Sequence, residues 1–236
     1  MTGMLASVTN LEEARLALQG GADIIDLKNP VAGALGALQH DAVRRIVREL
    51  QGGKPISATV GDLPMEPQRL AQAVQAMGDT GVDYVKIGFF AGGDRQGCLD
   101  ALRPLADERR LIAVLFADQQ PDFAWIEAIA AAGFAGAMLD TANKGHGGLR
   151  QVMAPTRLAE FVDTTRSHRL LCGLAGSLRA EDIAHLLPLR PDYLGFRGAL
   201  CEQRRRTASL DSEALARVRG QMENPSPAFA QGRATA

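Results

Sequence analysis

Cysteine is scarce in this chain of 236 residues: only Cys98, Cys172 and Cys201, with no CxxC pair among them. An odd number of scattered thiols excludes a disulfide framework or a zinc knuckle and points to free cysteines in a reducing compartment. Aromatic residues make up 5% of the chain, too few for a surface that stacks nucleic-acid bases. Neither sign of charge prevails, since 26 Lys and Arg face 27 Asp and Glu for a formal charge of −1. Nucleic acid and anionic membrane therefore have no electrostatic claim as partners. No apolar run approaches the roughly 18 residues of a membrane span. Met-Thr-Gly leads into an apolar segment without a basic n-region or a cleavage site. We expect a soluble, cytoplasmic protein with no nucleic-acid or membrane partner; a homo-oligomer stays open.

Metal-ligand spacing is missing as well. His40, His146, His168 and His185 are scattered, with no HxH or HExxH pattern, and only His146 falls where an active face is expected. The expectation is chemistry with no metal and no other cofactor.

What the chain does have is alternation. Short apolar runs at 4–8, 22–28, 55–60, 84–89, 111–116, 134–140, 171–175 and 193–197 read as strands. Stretches such as 11–19, 67–77, 122–132 and 157–166 carry apolar residues at three- and four-residue spacing, as helices covering a sheet require. Strict βα alternation implies parallel strands, and eight units is the number that closes a barrel. The predicted fold is a single (β/α)8 TIM barrel over residues 1–222, with a doubly wound open sheet as the competitor. Segments GADIIDLK (21–28), GVDYVKIG (81–88) and PDYLGFRG (191–198) echo one another. Their aspartates, Asp23, Asp83 and Asp192, precede strands and are expected to serve turns on the stability face. Residues 223–236 lose periodicity and are expected to form a disordered tail.

The rarest basic residue carries the chemistry. Arginine outnumbers lysine 22 to 4. Positions needing only positive charge have been filled by arginine, so the remaining lysines call for another reason. Lys28 ends the second expected strand, Lys86 lies in the fourth and Lys144 follows the sixth, all towards the catalytic face of a barrel. Lys54 alone falls at the opposite end. Only lysine can lose its proton to become a nucleophile for a carbonyl, or a base. Lowering an amine pKa by about 3 units takes roughly 4 kcal/mol, which burial and a neighbouring ammonium can supply. Asp26 lies two residues before Lys28 and shares its face, and Asp140 closes the sixth strand; either can orient a lysine or move protons. Asp62 and Asp118 also follow strands and read equally well as loop or cap residues.

Loops after the seventh and eighth strands hold phosphate in many barrels, and here they read GLAGS and FRGA. Gly176, Ser177, Arg197 and Gly198 are the candidate phosphate ligands, Arg197 as a bidentate fork. The glycine-rich segment 29–37 after Lys28 is long enough to be a closing lid, and an ordinary loop reads as well.

In order along the chain, DIIDLKNP-x-x-G-x-LGA, SATVGD, DYVKIG, AMLDTA-x-K, LAGS and GFRGA resemble the (5-formylfuran-3-yl)methyl phosphate synthase family, also called 4-(hydroxymethyl)-2-furancarboxaldehyde-phosphate synthases, over residues 4–222. The resemblance implies a (β/α)8 enzyme of methanofuran biosynthesis. It would condense two glyceraldehyde 3-phosphate molecules into a furan aldehyde phosphate, with loss of one phosphate and two waters. By motif, Lys28 would form the Schiff base and Lys86 accept the proton, with Asp26, Asp140 and Lys144 in support. The glycine-rich stretch after Lys144 departs from the more charged archaeal pattern. Another class I sugar-phosphate aldolase is the alternative enzyme, and a sugar-phosphate binding protein the alternative of another class.

Overall fold

The strand segments are apolar on both faces because one face meets helices and the other fills the interior of a closed sheet. The computed structural model describes residues 1–143, 145 and 147–225. Eight parallel strands close in chain order: β1 (Gly3–Val8), β2 (Ile24–Leu27), β3 (Ile56–Thr59), β4 (Tyr84–Phe89), β5 (Arg110–Phe116), β6 (Gly136–Asp140), β7 (Leu171–Leu174) and β8 (Tyr193–Phe196). Closure is direct, with Ala6 of β1 in register with Phe196 of β8, which excludes the open sheet. The helices α1 (Leu11–Gln19), α2 (His40–Glu49), α3 (Pro67–Gly78), α4 (Arg95–Ala106), α5 (Trp125–Ala131), α6 (Leu149–Val152), α7 (Pro155–Ser167), α8 (Ala180–Leu186) and α9 (Ser212–Glu223) lie among the connections. Proline opens α3 and α7 at a position whose amide has no helical acceptor. The helix α9 runs one residue past the expected end of the barrel; Lys144, His146 and residues 226–236, with most of the expected tail, lie outside the described residues.

Two apolar clusters result. The larger packs the outward strand residues, such as Ile25, Leu27, Val85 and Leu139, against the helices. The smaller fills the barrel with Leu5, Ile112, Val114, Phe116, Met138 and Tyr193. Tyr193 can lie across this interior because Gly173 on β7 offers no side chain; a Cβ there would collide with the phenol ring.

The echoed aspartates sit at the strand N-termini. Asp23, just before β2, accepts the Met4 amide of β1 at 2.9 Å. Asp83, before β4, accepts Ile56 of β3 at 2.8 Å, and Asp192, before β8, accepts Cys172 of β7 at 2.7 Å. Each also donates its own amide to the same neighbour's carbonyl, so the acid closes a two-bond ring between adjacent strands. An amide near the start of a strand calls for an acceptor, and a short carboxylate supplies it.

Candidate active site

Strand alternation sends Ser7, Asp26, Ser57 and Lys86 into the barrel. Ser7 and Ser57 are the register partners of Asp26 on either side. Asp26 has no exposed surface and accepts three hydrogen bonds: from Ser7 Oγ at 2.8 Å, Ser57 Oγ at 2.7 Å and Lys86 Nζ at 3.0 Å. Burial pushes its pKa up; the charges of Lys86 and Lys28 and the two hydroxyls more than offset that, so the carboxyl is held below its ordinary range. The centre of the barrel therefore holds a carboxylate facing two lysine side chains.

Lys28 lies just past β2, with the residue 8% exposed, and its Nζ is 3.8 Å from Asp140 Oδ2. Asp140, 2% exposed at the end of β6, also accepts the Thr141 amide at 2.7 Å. Lys28, Lys86 and Asp140 open on one cavity of about 870 Å³, whose wall continues through Gly176, Ser177 and Gly198. The structure thus brings together the lysines at 28 and 86, the acids beside them and the glycine loops expected to meet phosphate. Gly176 and Ser177 both take positive φ, 110° and 50°, so the backbone after β7 turns sharply at the cavity. Lys144 lies outside the described residues.

Arg197 departs from its expected role. It reaches the cavity wall, but all five of its N–H donors are engaged within the protein. Nη1 donates to Glu13 Oε2 at 2.6 Å and Ser7 O at 3.1 Å, Nη2 to Glu13 Oε1 at 3.2 Å and Ala208 O at 2.8 Å, and Nε to Arg206 O at 2.8 Å. A saturated guanidinium is a structural post, with no open fork for an anion. Glu13, its partner, also accepts Thr9 N, Thr9 Oγ1 and Leu210 N. Burial raises the Glu13 pKa, and Arg197 and the Thr9 bonds bring it net below 4.5.

The segment after Lys28 is seated in place. Asn29 caps a short 3-10 turn, Asp62 accepts the amides of Ala34 at 2.8 Å and Leu35 at 2.7 Å, and Thr59 Oγ1 donates to Gly36 O at 3.0 Å. Leu35 is fully buried with the barrel-interior residues. Arg206 completes the hold, donating to Pro30 O and Gly33 O. Asp118 does for the loop after β6 what Asp62 does here, accepting the amides of Ala142 and Asn143.

Ser7, Ser57, Glu13 and Arg206 went unnoticed in the sequence. A serine as the penultimate residue of an apolar strand was the available signal for Ser7. Glu13 looks like an ordinary first-turn acid of α1.

The profile of the 4-HFC-P synthase family matches residues 4–219 of this chain. The chain belongs to that family. A relative of this 4-HFC-P synthase family member, from Methylorubrum extorquens, is 42% identical over 215 residues, covering 91% of this chain and 89% of its own. The (5-formylfuran-3-yl)methyl phosphate synthase of Methanopyrus kandleri is 37% identical over 212 residues, covering 85% and 90%. Among solved structures, the barrel of this chain is similar to phosphoribosyl anthranilate isomerase from Thermotoga maritima. That match has a TM-score of 0.69 at 16% identity and covers 94% of this chain and 99% of the other. It is also similar to 3-keto-L-gulonate-6-phosphate decarboxylase from Vibrio cholerae, with a TM-score of 0.67 at 14% identity, covering 96% and 99%. These structural likenesses concern the fold. Among the described residues, no helix is long and apolar enough to cross a membrane.

Proposed function

We propose that this chain is a (5-formylfuran-3-yl)methyl phosphate synthase of methanofuran biosynthesis, a carbon–oxygen lyase that condenses two glyceraldehyde 3-phosphate molecules through an imine on Lys28. The observation that carries the reading is the convergence of Lys28, Lys86 and Asp140 on one cavity, with Asp26 paired to Lys86 behind its wall, in a chain with only four lysines.

Lys28 is the nucleophile. Its neutral amine adds to the aldehyde of a triose phosphate, and the carbinolamine loses water to give the imine. Lys86, once its own proton has passed to Asp26 along their hydrogen bond, is the base that removes the proton next to the imine carbon, giving an enamine from which phosphate leaves. Asp26 holds Lys86 in place and balances the positive charge of the pair, and Asp140 orients Lys28. Lys144 is proposed as a further supporting group. Aldol attack joins the second triose, and ring closure with dehydration gives the furan before the imine is hydrolysed and Lys28 is restored. The balance is complete: two C3H7O6P molecules give C6H7O6P, one H3PO4 and two H2O.

Gly176, Ser177 and Gly198 are proposed to meet phosphate through backbone N–H groups, with Arg197 acting through the loop it holds together. No step calls for a cofactor. The test is incubation with glyceraldehyde 3-phosphate alone. The expected outcome is a C6H7O6P product with furan-aldehyde absorbance and one inorganic phosphate released per product. Reversible aldol products with no furan band would favour the aldolase alternative and overturn this reading, as would no turnover.

A further inference from the structure

The segment between β8 and α9 carries a buried arginine, Arg197, and a half-buried one, Arg206, with different duties. Arg197 spends every donor inside the protein, and one of those bonds, Nε to Arg206 O at 2.8 Å, fixes the backbone of the second arginine. Arg206 is partly buried and donates through Nη2 alone, to Pro30 O at 2.7 Å and Gly33 O at 2.6 Å. Among the described residues, none accepts a hydrogen bond from its Nε or Nη1. The side chain lines the cavity that holds Lys28, Lys86 and Asp140. Two exposed arginines on the same rim pair with acids, Arg204 with Glu181 at 3.5 Å and Arg217 with Asp211 at 4.0 Å and Glu213 at 3.7 Å, whereas Arg206 feels the charges of Asp140 and Asp62 without a salt bridge to either.

A guanidinium held along one edge, with its Nε and Nη1 edge left for the cavity, suits the two oxygens of a phosphate monoester. We propose that Arg206 is a ligand for the phosphate of a substrate triose, gripping it through Nε and Nη1 while Nη2 holds the loop that follows Lys28. The proposal rests on the triose-phosphate reading above and deepens it. That reaction brings two phosphate esters into the cavity per turnover. The backbone amides after β7 and β8 provide for one of them, and Arg206 provides for another. The same side chain joins phosphate binding to the placement of the imine lysine, because Pro30 and Gly33 lie two and five residues beyond it.

The test compares borohydride trapping of Lys28 with glyceraldehyde 3-phosphate and with unphosphorylated glyceraldehyde, in the wild type and in Arg206→Gln and Arg206→Lys. Circular dichroism and thermal melting in phosphate-free buffer serve as folding controls. A phosphate ligand predicts that Arg206→Gln slows trapping of the phosphorylated aldehyde by about 10- to 100-fold. Trapping of glyceraldehyde should fall by a clearly smaller factor, set only by loss of the Nη2 hold on the loop. Arg206→Lys should fall between, since it keeps the charge and loses the fork. Equal losses for both aldehydes would mean that Arg206 only holds the loop and would overturn the assignment, as would no loss for either. Calorimetric titration with inorganic phosphate decides the matter without turnover: Arg206→Gln should lose the same factor in affinity at one site, and unchanged binding overturns the proposal. A wild type that traps neither aldehyde would sink the Schiff-base reading, and the phosphate titration would still judge Arg206.

Discussion

Asp26 and Lys86 form an ion pair sealed from water, and a buried pair of this kind is costly to break because the surviving charge has no solvent. Asp26→Asn keeps the shape and leaves Lys86 facing an amide. Its turnover is expected to fall by about 100-fold or more, while the KM for glyceraldehyde 3-phosphate changes little; a parallel rise in KM would make Asp26 a binding group instead. Lys86→Gln, which removes the base and spares Lys28, should lose kcat by roughly 100- to 10,000-fold and still form the Lys28 adduct. Loss of the adduct in that variant would contradict the division of labour. The lysines at these positions were legible because an arginine-rich chain made them conspicuous. Their hydroxyl supports were not, because Ser7 and Ser57 are ordinary strand residues until the register sets them beside Asp26. Arg197 was assigned an open fork because the sequence shows where an arginine lies on the chain and not how many carbonyls surround it.

At the scale of elements, carboxylates at the two ends of the strands have different tasks, and both concern backbone amides. Asp23, Asp83 and Asp192, expected to serve turns, bind amides near the starts of neighbouring strands. Asp62 and Asp118 lie beyond strand ends and bind loop amides. The segment 29–37, read from the sequence as either a lid or an ordinary loop, is seated on the barrel because Leu35 finds an apolar site inside it and Asp62 fixes two successive amides. That docking was not legible, since glycine content reports backbone freedom and not where a lone leucine will pack. In Asp62→Ala, hydrogen exchange at the amides of Ala34 and Leu35 should speed by roughly ten- to a hundredfold, with the Met4 and Ile56 amides unchanged. Equal protection in variant and wild type would mean that Leu35 alone seats the loop. At the opposite end of the barrel, Gly173→Ala pushes on Tyr193 and should cost about 1–3 kcal/mol of stability, read by urea unfolding.

For the whole molecule, alternation of apolar runs with amphipathic segments was enough to give the strand number and the parallel barrel. The contacts that complete closure were hidden, because they join residues nearly 200 positions apart. Glu13 on α1 and Arg197 after β8 lock the first βα unit to the last, with the two side chains 8% and 7% exposed. The Glu13 carboxyl is held below its ordinary value of 4.5, so the pair stabilises the fold fully above that pH and loses its contribution as pH falls through the lowered folded value. Glu13→Gln should cost about 3–5 kcal/mol at neutral pH, with the deficit shrinking in strongly acidic solution; a deficit independent of pH would contradict the role of the charge. The three cysteines are all buried, and burial pushes Cys172 up to about 12 and Cys201 to about 11. The folded protein should therefore resist thiol reagents at neutral pH and release all three thiols only on unfolding.

Lys28 as the covalent centre is the claim on which the rest depends. The direct measurement is borohydride reduction during turnover with glyceraldehyde 3-phosphate, followed by peptide mass mapping of the wild type and of Lys28→Arg. A reduced triose adduct on Lys28 in the wild type, and neither adduct nor furan product in Lys28→Arg, is the predicted result. An adduct on another lysine, or product formation by Lys28→Arg, would contradict it.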